Sequence, residues 1–291
     1  MKLGRGEFAK YHALGNDYII VDPKALCLRL TPARIRAICD RHTGVGSDGI
    51  LALNPARGAD FGLRIFNPDG SEAEKSGNGL RIFTRFLYDF GYTRRHSFTI
   101  ATAGGLVPAQ LAVVGGRVAS IRVAMGRATF VSSEIPIRGR RREVIGEPLR
   151  VGGRVLLVTC VSVGNPHCVV FVPKLDVGEL RRLGPLIERH RSFPNRINVQ
   201  FARVRSRRRV EILIWERGAG ETLASGSSST AVAAAAFRHG MVDRKVTIRM
   251  PGGELSIEID AGGVLHLRGD AQPVCRGRLL GHGDPPVVPP W

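Results

Sequence analysis

The chain has 291 residues, 43% hydrophobic and 23% charged, a globular composition with room for about two domains that excludes disordered and fibrous classes. Its 43 Lys and Arg against 25 Asp and Glu give a formal net charge of +18, which keeps a nucleic-acid binder as a rival class; aromatic residues make up only 6% and Arg is spread along the whole chain, which speaks against stacking platforms. Five cysteines without a C-x-x-C pair exclude a zinc ribbon or a dense disulfide framework, the opening MKLGRGEFAK has no apolar signal core, and no run nears the ~20 apolar residues of a membrane span, so a soluble, cytoplasmic, two-domain protein is expected.

In chain order, YIIV (18–21) predicts the first clear strand. Thr31-Pro32 predicts a helix through about Asp40, with Thr as cap and Pro at the first helical position. LRIF (63–66) predicts a strand, and residues 79–90 a helix with Leu80, Phe83, Leu87 and Phe90 on one stripe. The alternation in RVASIRV (117–123) predicts a half-buried strand. VLLV (155–158) and VEILI (210–214) predict further strands, with the Arg cluster 203–209 on a solvated loop between strands. Residues 230–237, Ala-rich and apolar all round, predict a helix buried on every side. Residues 282–291 read as a Pro-rich tail.

The organising feature is an internal echo. FNPDGSEAEKSGNG (66–79) and WERGAGETLASGSS (215–228) each pass from an aromatic strand end through a polar residue to a Ser-Gly at a helix start. Asn67 and Glu216 each stand nine positions before their serine, Ser76 and Ser225, and the serines lie 149 apart, half the chain. Strand, loop, serine and apolar helix repeated together point to duplication rather than to two unrelated turns.

A Ser-Gly turn opening a helix presents backbone N–H groups without helical partners, and with the helix dipole it suits a carboxylate or phosphate. Two such turns facing one another clamp a small anion; the plainer reading is N-capping by each serine. Neither turn matches a phosphate loop, a dinucleotide fingerprint or a nucleophile elbow. Asn16, Asn165, His167 and Asn198 sit at turns or strand ends, and Glu216-Arg217 follows a buried-looking strand, where a charged pair faces a cleft. Cys39 and His42 lack further ligands at metal spacing, so no metal site is expected.

Together these segments resemble diaminopimelate epimerase. The matching stretches are FAKYHALGND (8–17), GVGSDGIL (44–51), FNPDGSE (66–72) leading into GNG (77–79), VAMG (123–126), GNPHC (164–168), Asn198-Val199, and ERGAGETL (216–223) leading into Gly226. They run in family order over nearly the whole chain. The resemblance implies an α/β (α+β) fold of two pseudo-symmetric halves, each a barrel-like, mostly antiparallel sheet around a central helix, with the site between them. The halves would be 1–126, with a returning segment at about 270–281, and 127–269. It also implies a cofactor-independent isomerase inverting an amino-acid α-carbon without a metal, interconverting LL- and meso-diaminopimelate. A functional monomer and a homodimer are both compatible with such halves.

In that family one cysteine from each half takes or gives the α-proton; here the matching positions are Ser76 and Ser225. A thiol titrates near 8.5 and an alkyl hydroxyl close to water at 15.7, a gap of ~6–7 units or roughly 8–10 kcal/mol. Serine at both faces therefore predicts large losses or abolition of racemisation, with His167 and Glu216, which match the family's auxiliary groups, left to activate it. Asn16, Asn67, Asn165, Asn198, Glu216 and Arg217 match the residues holding the substrate's two amino-acid ends. Gly77, Asn78, Gly226 and Ser227 match its carboxylate cradles, and Gly49 stands where some members carry a Gln contact. The open readings are an epimerase with both cysteines replaced by design, a natural serine protein with slow or altered isomerisation, and an amino-acid-binding relative without catalysis.

Overall fold

The computed structural model describes residues 2–280, so the expected tail (282–291) lies outside the described residues. Its first half runs β1 (Glu7–Ala13), β2 (Asn16–Val21), α1 (Pro32–Cys39), β3 (Ile50–Asn54), β4 (Phe61–Phe66), β5 (Glu72–Ala73), α2 (Gly77–Asp89), β6 (Ser97–Thr102), β7 (Gly105–Val114) and β8 (Arg117–Arg127). The second half follows with β9 (Glu147–Val151), β10 (Arg154–Ser162), β11 (Pro166–Phe171), α3 (Val177–Glu188), β12 (Asn198–Ser206), β13 (Arg209–Glu216), β14 (Gly220–Thr222), α4 (Gly226–Arg238), β15 (Lys245–Met250), β16 (Gly253–Ile259) and β17 (Val264–Gly269). A last strand, β18 (Gln272–Arg278), returns to pair with β1 as β9 pairs with β10.

Strand pairing repeats between the halves. β1–β2, β3–β4, β6–β7 and β7–β8 are antiparallel, while β2–β3 and β4–β6 are parallel. Likewise β10–β11, β12–β13, β15–β16 and β16–β17 are antiparallel, while β11–β12 and β13–β15 are parallel. The two sheets join along the antiparallel pair β8–β17. The architecture is thus two pseudo-symmetric halves, each a mostly antiparallel sheet around one helix.

Burial explains which helix sits where. α2 is covered by β1, β2, β7 and β8, and its Leu80, Ile82, Phe83, Phe86 and Leu87 are fully buried, each large side chain contributing about 1.5–3 kcal/mol of apolar transfer. α4 lies inside the other sheet with Ala231 to Ala236 buried; its small side chains let strands approach closely. Both inner helices share one apolar core through β8 and β17 (Val123, Met125, Leu265, Leu267). The outer helices α1 and α3 cover separate clusters on the outer faces.

Three expectations need adjustment. α2 begins two residues before the predicted Gly79 and α4 four before Thr230, because the serine caps pull Gly-rich turns into the first helical turn. The Arg cluster 203–209 is a loop only in part: Arg207 and Arg208 form the exposed turn, but Arg203 and Arg205 lie on β12, Arg209 opens β13, and Val204 pairs with Val210. The helix α3 escapes the sequence pattern because Gly184 and Pro185 lie inside it. It forms nonetheless, since the Asp176 side chain accepts from Glu179 N at 3.1 Å and Leu180, Leu183 and Ile187 are buried. A Cβ at 184 would lie 2.8 Å from the Trp215 ring, so only glycine lets α3 seat on β13.

Candidate active site

The first turns of α2 and α4 are capped in the same way. Ser76 Oγ accepts from Gly79 N at 3.0 Å and Ser225 Oγ from Ser228 N at 3.4 Å, both serines in extended backbone. That leaves the N–H groups of Gly77, Asn78, Gly226 and Ser227 without intrahelical partners. The two turns also meet: a Cβ built on Gly226 would lie 3.1 Å from Gly77 Cα. Two positive helix ends therefore converge at one spot. Ser225 is buried, whereas Ser76 keeps partial exposure.

Each serine has a different side-chain partner. Tyr18, on β2, brings its hydroxyl to 3.4 Å from Ser76 Oγ. Burial pushes the Tyr18 phenol up to about 12; the bond to Ser76 opposes this, and the charges of Glu216, Asp48 and Asp17 add to it. Glu216, at the end of β13, lies close to Ser225, whose Oγ is 3.4 Å from Ser227 Oγ. Burial raises its carboxyl, the nearby Ser225 hydroxyl opposes this, and the Asp48 charge adds to it. Asp48 from the first half thus lies close to Glu216 from the second.

His167, on β11, is wholly buried. Its Nε2 is 2.9 Å from Asn165 Oδ1 and its Nδ1 3.1 Å from Gln200 Nε2. An amide oxygen only accepts and an amide nitrogen only donates, so the ring is the neutral tautomer with hydrogen on Nε2. Burial draws its titration down to about 3. Among the described residues it makes no hydrogen bond to Ser76 or Ser225; it reaches α4 through Gln200, which also donates to Ser228 Oγ at 3.0 Å, and through Asn165.

The remaining expected residues fall into small networks. Asn16 donates to Asp48 Oδ2 at 2.9 Å and accepts from Asn78 Nδ2 at 3.1 Å. Asn165 donates to Ser227 Oγ at 3.4 Å. Asn198 donates to Pro166 O at 2.8 Å and accepts from Arg217 N at 2.9 Å. Arg217 is exposed, its guanidinium on Asn195 O at 3.2 Å. Asn67 stands apart from these bonds, donating instead to Ser71 Oγ at 2.9 Å. At Gly49 a Cβ would lie 2.3 Å from Phe66 O and 2.8 Å from the Tyr18 ring, so a glutamine contact cannot issue from this position.

Sequence reasoning passed over Tyr18, Asp48, Gln200 and Arg81. The buried Arg81 guanidinium holds Gly77 O at 3.2 Å and Asn78 Oδ1 at 2.9 Å, fixing the cradle of α2. One signal was present: Tyr18 stands two residues after Asn16 as His167 stands two after Asn165, so the echo extends beyond the serine turns.

Comparison with known proteins follows this geometry. The family model described as diaminopimelate epimerase matches residues 8–131 and 159–274. Diaminopimelate epimerase 2 of Nostoc sp. is 49% identical over 255 residues, 87% of this chain and 88% of the relative. Diaminopimelate epimerase of Pelotomaculum thermopropionicum is 42% identical over 276 residues, 93% of this chain and 97% of the relative. Among solved structures, a hydroxyproline epimerase from Agrobacterium vitis superposes with a TM-score of 0.72 at 16% identity, covering 96% of this chain and 94% of that one, a likeness of fold. The two serine-capped helix ends, the paired halves and these matches lead to one conclusion: the chain belongs to the diaminopimelate epimerase family.

Proposed function

We propose that the chain is a cytoplasmic, cofactor-independent amino-acid epimerase of the diaminopimelate type, in which Ser76 and Ser225 stand at the two proton-transfer positions. The observation that carries this reading is the meeting of α2 and α4 at Gly77 and Gly226. A substrate α-carboxylate held by the free N–H groups of Gly77, Asn78, Gly226 and Ser227 would lie at two helix dipoles. Its α-carbon would then face a capping hydroxyl from each half. Asn16, Asn67, Asn165, Asn198, Glu216 and Arg217 would hold the two amino-acid ends.

Proton abstraction by a hydroxyl needs a base behind it. Glu216 fills that role for Ser225, and its raised titration makes it a stronger base than an ordinary carboxylate. His167 would support the cleft through Asn165 and Gln200 as a neutral ring. Inversion by the two serines is slow beside a two-cysteine site, since the hydroxyl begins ~6–7 units less acidic than a thiol.

A second reading, an amino-acid-binding protein without catalysis, is favoured by one observation: both serine oxygens already serve as helix caps. Deuterium incorporation at the α-carbon of LL- and meso-diaminopimelate in deuterated water separates the two. Incorporation by this chain supports the epimerase. Saturable binding of either isomer without incorporation supports the binding protein, and absence of both binding and exchange, here and in Ser76→Cys/Ser225→Cys, overturns the assignment.

A further inference from the structure

The hairpin joining β1 to β2 turns on two residues, Leu14 and Gly15, between the paired Ala13 and Asn16. Their φ angles are 55° and 87°, as in the type I′ turn, whose first place ordinarily belongs to Asn, Asp or Gly. A leucine is strained there, because at positive φ its Cβ crowds the backbone. Such strain persists only where surrounding contacts hold it, and for Leu14 they lie in the other half of the molecule. A Cβ built on Gly253 would lie 2.6 Å from Leu14 Cδ2, and one on Gly252 2.9 Å from Leu14 O and 3.0 Å from Leu223 O. The half-buried Leu14 therefore rests on Gly252 and Gly253, at the turn from β15 to β16. Gly252 N in turn donates to Leu223 O at 2.8 Å, two residues before Ser225.

The pseudo-symmetric counterpart lacks this contact. At the turn from β6 to β7, Gly104 N donates to Glu74 O at 2.9 Å, two residues before Ser76. Gly105 closes that turn against Thr102 as Gly253 closes the other against Met250. Yet a Cβ built on Gly105 would meet nothing within 4 Å. The residue in the place of Leu14 is Val163, since Val163-Gly164-Asn165 matches Leu14-Gly15-Asn16, and it is drawn into the apolar core at 2% exposed.

We infer that Leu14 is a positioning residue of the site: from the first half it braces, through Gly252 and Leu223, the loop that carries Ser225 in the second, while the loop that carries Ser76 has no such brace. The inference rests on the epimerase reading above and gives Leu14 no part in proton transfer. Asn16 stands two residues further along the same hairpin, so one contact sets a side chain expected at the substrate and Ser225 against each other across the cleft.

Leu14→Asn tests it, because it removes the side chain that reaches Gly253 while giving the type I′ turn its preferred residue, so the fold itself is not weakened. In Ser225→Cys, alkylation at 225 is followed on its own peptide by mass spectrometry, with the buried Cys160 and Cys168 as markers of global opening. Adding Leu14→Asn should speed alkylation at 225 about tenfold, as expected for losing the contact of one half-buried leucine, and leave Cys160 and Cys168 unchanged. In Ser76→Cys the same change should leave position 76 unaffected, and Leu14→Met, which still reaches Gly253, should keep the slow rate at 225. An unchanged rate at 225, no rescue by Leu14→Met, or equal acceleration at 76, 160 and 168 overturns the inference. In Ser76→Cys/Ser225→Cys, Leu14→Asn should also lower kcat for diaminopimelate about tenfold with KM little changed, because a misplaced proton-transfer group costs rate rather than binding; an unchanged kcat overturns it. If neither of these chains interconverts diaminopimelate, the epimerase reading fails, and alkylation at 225 still decides the brace.

Discussion

Gly77 and Gly226 open the two inner helices and touch: a Cβ on Gly77 would lie 3.3 Å from Gly226 Cα, and one on Gly226 3.1 Å from Gly77 Cα. Neither position has room for a methyl group without parting the helix ends or moving Leu267 Cδ1, itself 3.0 Å from the Gly226 Cβ position.

Gly226→Ala should therefore destabilise the fold by about 1–3 kcal/mol, the usual cost of overpacking, and weaken binding of amino-acid carboxylates. Denaturant unfolding and calorimetric titration with meso-diaminopimelate read the two effects. Wild-type stability together with wild-type affinity would contradict the close contact.

His167 should stay neutral across the physiological range. Its titration lies at about 3 because burial opposes the cation. A histidine with a depressed folded value contributes stability that is present above about 6.5 and is lost as pH falls toward the folded value. Ring ¹⁵N shifts should stay flat from pH 8 to pH 5, and a midpoint near 6.5 would contradict the network of Asn165 and Gln200.

Glu216 carries the opposite sign. Its carboxyl is raised by burial, with the Asp48 charge adding and Ser225 opposing, so the folded state resists ionisation that the unfolded chain undergoes freely. The stability cost appears as pH rises through the folded value. Denaturant midpoints of the chain and Glu216→Gln should converge at low pH and separate in favour of Gln above it. Separation in the other direction would show a carboxyl stabilised as the anion.

Arg81 ties the carboxylate cradle to the chain's end, donating to Gly77 O, Asn78 Oδ1 and Asp270 O. Arg81→Met keeps the bulk and strands those acceptors, at about 1–3 kcal/mol for each one left buried and unpaired. Thermal unfolding measures the loss, and an unchanged melting temperature would mean that water replaces the guanidinium freely.

Local chemistry made part of this legible. Thr31 and Pro32 mark α1 correctly, with Thr31 Oγ1 accepting from Arg34 N at 3.3 Å. The nine-residue spacing from Asn67 to Ser76 and from Glu216 to Ser225 exposes the two capped turns. Contacts made at a distance were hidden. The glycine and proline of α3 look helix-breaking until Trp215 of β13 is seen against Gly184. The arginines of 203–209 mask strand ends because Val204 and Val210 alone carry the inward pattern, while Arg207 pairs with Asp243 at 2.8 Å. Asp48 reaches Glu216 only because the parallel pair β2–β3 brings the GVGSDG segment to the cleft.

The central claim, that Ser76 and Ser225 occupy the acid and base positions, is tested most directly by the rate of LL- to meso-diaminopimelate interconversion in Ser76→Cys/Ser225→Cys beside the unaltered chain. Thiols ~6–7 units more acidic than hydroxyls, at helix N-termini that favour the thiolate, should raise the turnover rate at least about 100-fold, with KM little changed. A double variant that converts no faster than the serine chain would contradict the account.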